Sequence, residues 1–179
     1  MRAFVAVELP EHIKARIFHE FETLMEKDVF GGKFVEKENL HLTLNFLGEI
    51  SEEKAKKVID ELKGVKFDKF SCSIGKVGCF PSREHIKVIW VELISENNKL
   101  KGLYKAIKGK IGNADEREFE SHITTARVKF VKNKNKLAET LGKIHFKKLD
   151  FKVDYFSLIK SELTKQGPIY RTIEKFNLS

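Results

Sequence analysis

Proline and cysteine are almost missing from this chain, with 3 and 2 in 179 residues. Cys72 and Cys79 lie seven residues apart, which excludes a CxxC redox pair and a zinc-binding quartet and leaves them as small buried side chains. Long apolar runs are also lacking. No stretch approaches the roughly 18 apolar residues of a membrane span, and MRAFVAVELP has no signal-peptide core, so a cytoplasmic protein without a membrane partner is expected. The histidines, His12, His19, His41, His85, His122 and His145, form no HExxH pattern, and neither a metal nor another cofactor is expected. Low-complexity tracts and Pro/Gly/Ser-rich linkers are absent, which favours one packed unit over 1–179.

Charge is abundant. Charged residues reach 34%, rich in lysine and glutamate, a mixture used by heat-adapted proteins for surface ion pairs. The net charge of +8 suits a polyanionic partner such as nucleic acid or a phosphorylated ligand, without choosing between them. Hydrophobic residues, at 41%, suffice for a compact fold.

Periodicity orders the elements. AFVAVEL at 3–9 reads as a strand; Ile13, Ile17, Phe21 and Leu24 then recur at helical spacing. A turn is expected at Gly31-Gly32, and HLTLNFLGEI at 41–50 alternates as a strand. Ser51 caps a helix carrying Ala55, Val58, Ile59 and Leu62, which Gly64 ends, and an extended region follows at about 67–79. The order then repeats: IKVIWVEL at 86–93, a helix with Leu100, Leu103, Tyr104, Ile107 and Ile111, the strand HITTARVKFV at 122–131, and a helix capped by Asn133. FKVDYFSLIKSEL from 151 is extended.

The repetition reaches individual residues. Val7-Glu8-Leu9 returns as Val91-Glu92-Leu93, His41-x-Thr43 as His122-x-Thr124, and the cap Ser51 as Asn133, at offsets of 84, 81 and 82. These landmarks predict two pseudo-symmetric lobes, about 1–80 and 81–165, packed together, with a last strand at about 168–176 tying them.

If the lobes are related by an approximate two-fold axis, His41 and His122 line opposite walls of one cleft. Two imidazoles near neutrality can divide general-acid and general-base work, and in-line displacement at phosphorus needs both, on opposite sides. Thr43 and Thr124 share the faces of their histidines and can donate to phosphoryl oxygens; Arg127 offers a charged fork. Strict alternation, however, puts Arg127 on the face away from His122 unless a bulge past Thr125 intervenes. Lys129, Lys132, Lys134, Lys136, Lys143, Lys147, Lys148 and Lys152 read either as an RNA-steering stretch or as a solvated face, and Phe80 and Trp90 either as core or as stacking platforms.

ENLHLTLNFLGEI, GCFPSREHIKVIWVEL, HITTAR and SELTKQGPIYRTIEKFNL together resemble the RNA 2′,3′-cyclic phosphodiesterases, or 2′-5′ RNA ligases, of the two-histidine phosphoesterase superfamily. The resemblance covers nearly the whole chain and departs at Thr125, where the family usually has leucine. It implies a bilobal α+β fold, antiparallel-rich sheets flanked by helices and an active-site cleft between lobes. It also implies metal-independent opening of RNA 2′,3′-cyclic phosphates to 2′-phosphates, with reversible 2′-5′ joining as a side activity, in tRNA processing. In family terms His41 is the proton donor, His122 the proton acceptor, and Thr43, Thr124 and Arg127 bind the phosphate. The expected partner is RNA with a cyclic phosphate end, acted on by a monomer. Two other readings stand beside this one: a cyclic phosphodiesterase for small nucleotides, and a non-catalytic RNA- or nucleotide-binding module.

Overall fold

The computed structural model describes residues 1–112, 118–165 and 167–179. Its described strands are β1 (Arg2–Glu8), β2 (Phe30–Phe34), β3 (His41–Glu49), β4 (Phe70–Pro81), β5 (Ile86–Ser95), β6 (His122–Val131), β7 (Asp150–Val153), β8 (Tyr155–Leu163) and β9 (Pro168–Asn177). The helices are α1 (Glu11–Glu26), α2 (Glu52–Lys63), α3 (Lys99–Ile111) and α4 (Lys134–Lys143).

Local chemistry explains the helices. Ile13, Ile17, Phe21 and Leu24 are all buried on α1. The Ser51 hydroxyl accepts the Lys54 N–H at 3.1 Å and Asn133 Oδ1 the Lys136 N–H at 3.0 Å, caps worth about 1 kcal/mol each. The apolar stripes of all four helices join one core with Leu42, Leu44, Val91 and Ile123. Full burial of each such large side chain contributes about 1.5–3 kcal/mol. One face of the sheet is therefore covered, and the other is left for chemistry.

All described strand pairs are antiparallel, in the order β7-β4-β5-β6-β3-β1-β8-β9, with β2 also on β6. One edge of β6 takes β5. Along its other edge β2 pairs with residues 126–131, and β3 then touches β6 at the single pair Leu42–Ile123. The described strands thus form one nine-stranded sheet made of two antiparallel subsheets that meet at one residue pair, within the α+β class expected.

The sheets do not coincide with halves of the chain. β2 and β4, from the first half, pair with β6 and β5, while β8 joins β1. The short β4–β5 connection explains part of this: strands joined tightly pair as a hairpin wherever a repeat boundary falls. The last strand, β9, lies on the edge beside β8 rather than between the halves. A tie forms just beyond it, where the Ser179 N–H donates to the Phe67 carbonyl at 3.1 Å and the Lys69 N–H to the Ser179 carbonyl at 3.0 Å. The extended run from 151 is two strands, β7 and β8, parted at Asp154 and sent to different sheets.

Gly31 and Gly32 also correct an expectation, because they lie inside β2 rather than in a turn. A Cβ on Gly32 would sit 2.1 Å from the Arg127 carbonyl oxygen, so close backbone approach to β6, not chain reversal, is what requires glycine there.

Candidate active site

The open face of the two sheets is built by strand alternation that breaks at matching places. From His41, β3 runs half-open, buried, half-open, buried, buried, exposed; from His122, β6 runs the same way. Two buried residues in succession mark a bulge. Ala6 faces Thr43 and Val5 faces Asn45, leaving Leu44 as the extra residue; Trp90 faces Thr124 and Ile89 faces Ala126, leaving Thr125 extra. The Thr125 hydroxyl donates to the Ile89 carbonyl at 3.1 Å, pinning the bulge from within. Each bulge reverses the alternation. Arg127 is thereby carried onto the face of His122 and Thr124, and its charge reaches His41 across the cleft. At the matching position of β3 stands Phe46, 45% exposed.

Leu42 and Ile123 point into the core, so their neighbours His41, Thr43, His122 and Thr124 rise on the other face. The antiparallel pair Leu42–Ile123, if its register ran on by one residue, would set His41 against Thr124 and Thr43 against His122. At ordinary strand spacing the two histidines would then be diagonal neighbours, about 7–8 Å apart.

Both imidazoles are aimed the same way. His41 Nδ1 lies 2.6 Å from the Asn39 carbonyl and His122 Nδ1 2.8 Å from the Glu120 carbonyl. A carbonyl only accepts, so each Nδ1 carries hydrogen and each neutral ring keeps its lone pair on Nε2. His41 Nε2 receives the Thr43 hydroxyl at 3.0 Å. The repeated Val-Glu-Leu now has a place: Glu8 lies across from His41 on β1, and Glu92 across from His122 on β5.

The surroundings of the rings differ. Phe4 packs on His41 at 4.8 Å and Tyr170 edge-on at 5.2 Å, above a small apolar cluster of Phe4, Ala6 and Ile159. Burial lowers the His41 pKa from 6.5 to about 4; the bond to Asn39 opposes this, and the Lys14 and Arg127 charges add to it. Phe80 stands edge-on to His122 at 5.0 Å with Trp90 beside it, so both aromatics form a partly open wall of the site rather than core. The eight lysines of the basic stretch are all exposed; Lys132 pairs with Asp28, Lys143 with Glu139 and Lys148 with Asp150.

Sequence reasoning placed Thr43, Thr124 and the histidines on one face, and left Arg127 on the wrong side until the bulge is seen. It missed Phe4, Phe46, Asn39 and Tyr170. Phe46 was readable only with the bulge in hand; Tyr170, 129 residues from His41, gave no local signal.

A hinge of two antiparallel sheets carrying paired His-x-Thr motifs defines a phosphoesterase. The sequence pattern described as LigT like phosphoesterase matches residues 7–90 and 92–170, and the chain belongs to that family. It is 38% identical to the RNA 2′,3′-cyclic phosphodiesterase of Methanocaldococcus jannaschii, covering 98% of this chain and 100% of the relative. With the protein of that name from Methanothermobacter thermautotrophicus it shares 36% over 99% of both. Among solved structures, a Thermus thermophilus protein superposes with a TM-score of 0.81 at 26% identity, covering 99% of this chain and 98% of the other. The apo form of Escherichia coli LigT, at 23% identity, shares the fold with a TM-score of 0.79, over 99% and 97%.

Proposed function

We propose that this protein opens RNA 2′,3′-cyclic phosphates to 2′-phosphates, with His41 and His122 on opposite sides of the phosphorus. The pairing of β3 and β6 at Leu42–Ile123, which raises both His-x-Thr motifs on one open face, carries this reading. His122 Nε2 takes a proton from water as its oxygen attacks phosphorus; the bond to the 3′ oxygen breaks, and His41 Nε2 gives that oxygen a proton. Each histidine ends in the other's starting state, and a proton exchange through solvent resets the pair. Thr43, Thr124 and Arg127 donate to the non-bridging oxygens as charge builds there.

The low pKa of His41 opposes a proton donor at pH 7, so the role assigned to it requires the bound phosphate anion to raise that pKa by favouring the imidazolium. With a 5′-hydroxyl in place of water the same groups, acting in the same direction, join RNA 2′-5′ as the 3′ oxygen leaves, and in reverse they cleave that linkage. The activity needs no metal, and the protein acts as a monomer in the cytoplasm. The test is an RNA oligonucleotide with a cyclic end, incubated with and without EDTA, with the product's phosphate position identified. A 2′-phosphate formed equally in both supports the reading; a 3′-phosphate, or loss with chelator, overturns it.

A further inference from the structure

Beside His41 a cavity of about 380 Å³ opens between β9, the start of β3 and the first turns of α1. Its charged wall is three carboxylates, Glu8, Glu36 and Glu38, against one cation, Lys14, whose Nζ donates to the Glu38 carbonyl at 2.8 Å, a net negative lining next to an anion site. Such a wall disfavours a phosphate. The remaining lining suits a neutral, flat group: Ile159 and Tyr170 supply apolar and aromatic surface, and Thr172 a hydroxyl bonded to Glu8 at 3.3 Å.

Asn39 is the sharper observation. It is 8% exposed, lines the cavity, and holds its amide nitrogen against two acceptors, the Pro168 carbonyl at 2.9 Å and Glu36 at 3.3 Å. Those contacts settle which end is oxygen, since only the NH₂ can donate. Oδ1 accepts no hydrogen bond from the described residues, so the Asn39 amide keeps one acceptor unused beside the cavity.

Stereochemistry says which part of a substrate lies here, given the reaction proposed above, on which this step rests. The leaving 3′ oxygen belongs to the nucleoside that bears the cyclic phosphate. In an in-line reaction it lies opposite the attacking oxygen, on the side of the proton donor, His41. The nucleoside is therefore on the His41 side, and the cavity is the open pocket there.

We propose that the cavity beside His41 receives the base of the terminal nucleoside and favours one presenting adjacent N–H donors, guanine, over uracil. Guanine offers N1–H and N2–H₂ together, to be taken by Asn39 Oδ1 and the carboxylates. Uracil offers one N–H between two carbonyls, which carboxylates repel. The rest of the cleft treats all bases alike, because a phosphate contact carries no base identity.

Guanosine 2′-phosphate and uridine 2′-phosphate are titrated by calorimetry into wild type, Glu38→Gln and Thr172→Trp, and the two cyclic nucleotides are assayed in parallel. The expected result is a preference for the guanosine form of about fivefold or more, the order of one charge-assisted hydrogen bond. It shrinks in Glu38→Gln and vanishes in Thr172→Trp, whose indole fills the cavity. Equal affinity for both, or a preference that Thr172→Trp leaves intact, overturns the proposal. A guanosine preference in binding without opening of either cyclic ester supports the cavity's role and overturns the reaction instead.

Discussion

The two walls of the cleft are copies in geometry and opposites in chemistry. Each has a histidine anchored through Nδ1 to the carbonyl two residues before it, a threonine two residues after it, a glutamate across from it and a bulge three residues on. After the bulge they part: β6 presents Arg127, β3 presents Phe46. Across from the threonines, β1 has Ala6 where β5 has Trp90. The shared features set distance and aim, which any two-sided reaction at phosphorus requires. The unshared ones put Arg127 on the His122 wall and the apolar cluster of Phe4, Ala6 and Ile159 beneath His41. A symmetric frame thus holds an asymmetric site, as the division into one acid and one base proposed for His41 and His122 requires.

The comparison breaks most completely at the histidines. His41→Ala and His122→Ala should each lower kcat by about 10³-fold, within the usual range for a general acid or base, and the double variant should be little worse than either. Steady-state rates on a cyclic-phosphate oligonucleotide check this; additive losses would mean the rings do not act as a unit. Next comes Arg127→Ala, with a loss of about 10²-fold, against a smaller change for Phe46→Ala, since only the first removes charge from the developing oxyanion. Comparable losses would show that the walls do not differ as described.

Gly32→Ala sharpens the account of how Arg127 is placed. Its Cβ would meet the Arg127 carbonyl, so β2 must shift, at a cost of about 2 kcal/mol or more in denaturant unfolding, together with reduced activity. Thr125→Val removes a buried hydroxyl bonded to Ile89 and should cost about 1 kcal/mol with a small loss of rate.

The pH dependence separates the walls once more. Folding lowers the His41 pKa, so it favours the neutral ring. That contribution is complete above about pH 6.5 and drains away as the pH falls toward about 4. Its upper limit is about 3 kcal/mol, less because the ring is partly open to the cleft. Unfolding free energy measured from pH 7 to 4 should fall less steeply in His41→Asn than in wild type; equal slopes would refute the burial argument.

Much of this was legible in the sequence because it is local. The stripe of α1, the caps Ser51 and Asn133, the bounds of β6 and the two His-x-Thr faces all follow from residue type and period. What was hidden depends on partners far along the chain. A bulge is a mismatch between two strands, so the side on which Arg127 lies could not be read from β6 alone. Gly31-Gly32 reads as a turn until Arg127 is laid against it, and the repeat suggests contiguous lobes until β2 and β4 choose partners in the other half.

The most direct test follows the ring nitrogens of His41 and His122 by nitrogen NMR while a nucleoside 2′-phosphate is added. If both flank one phosphorus, both Nε2 signals move along the same saturation curve, with one ligand bound per chain. A ligand that shifts only one of them, or shifts them at different concentrations, would contradict a shared phosphate.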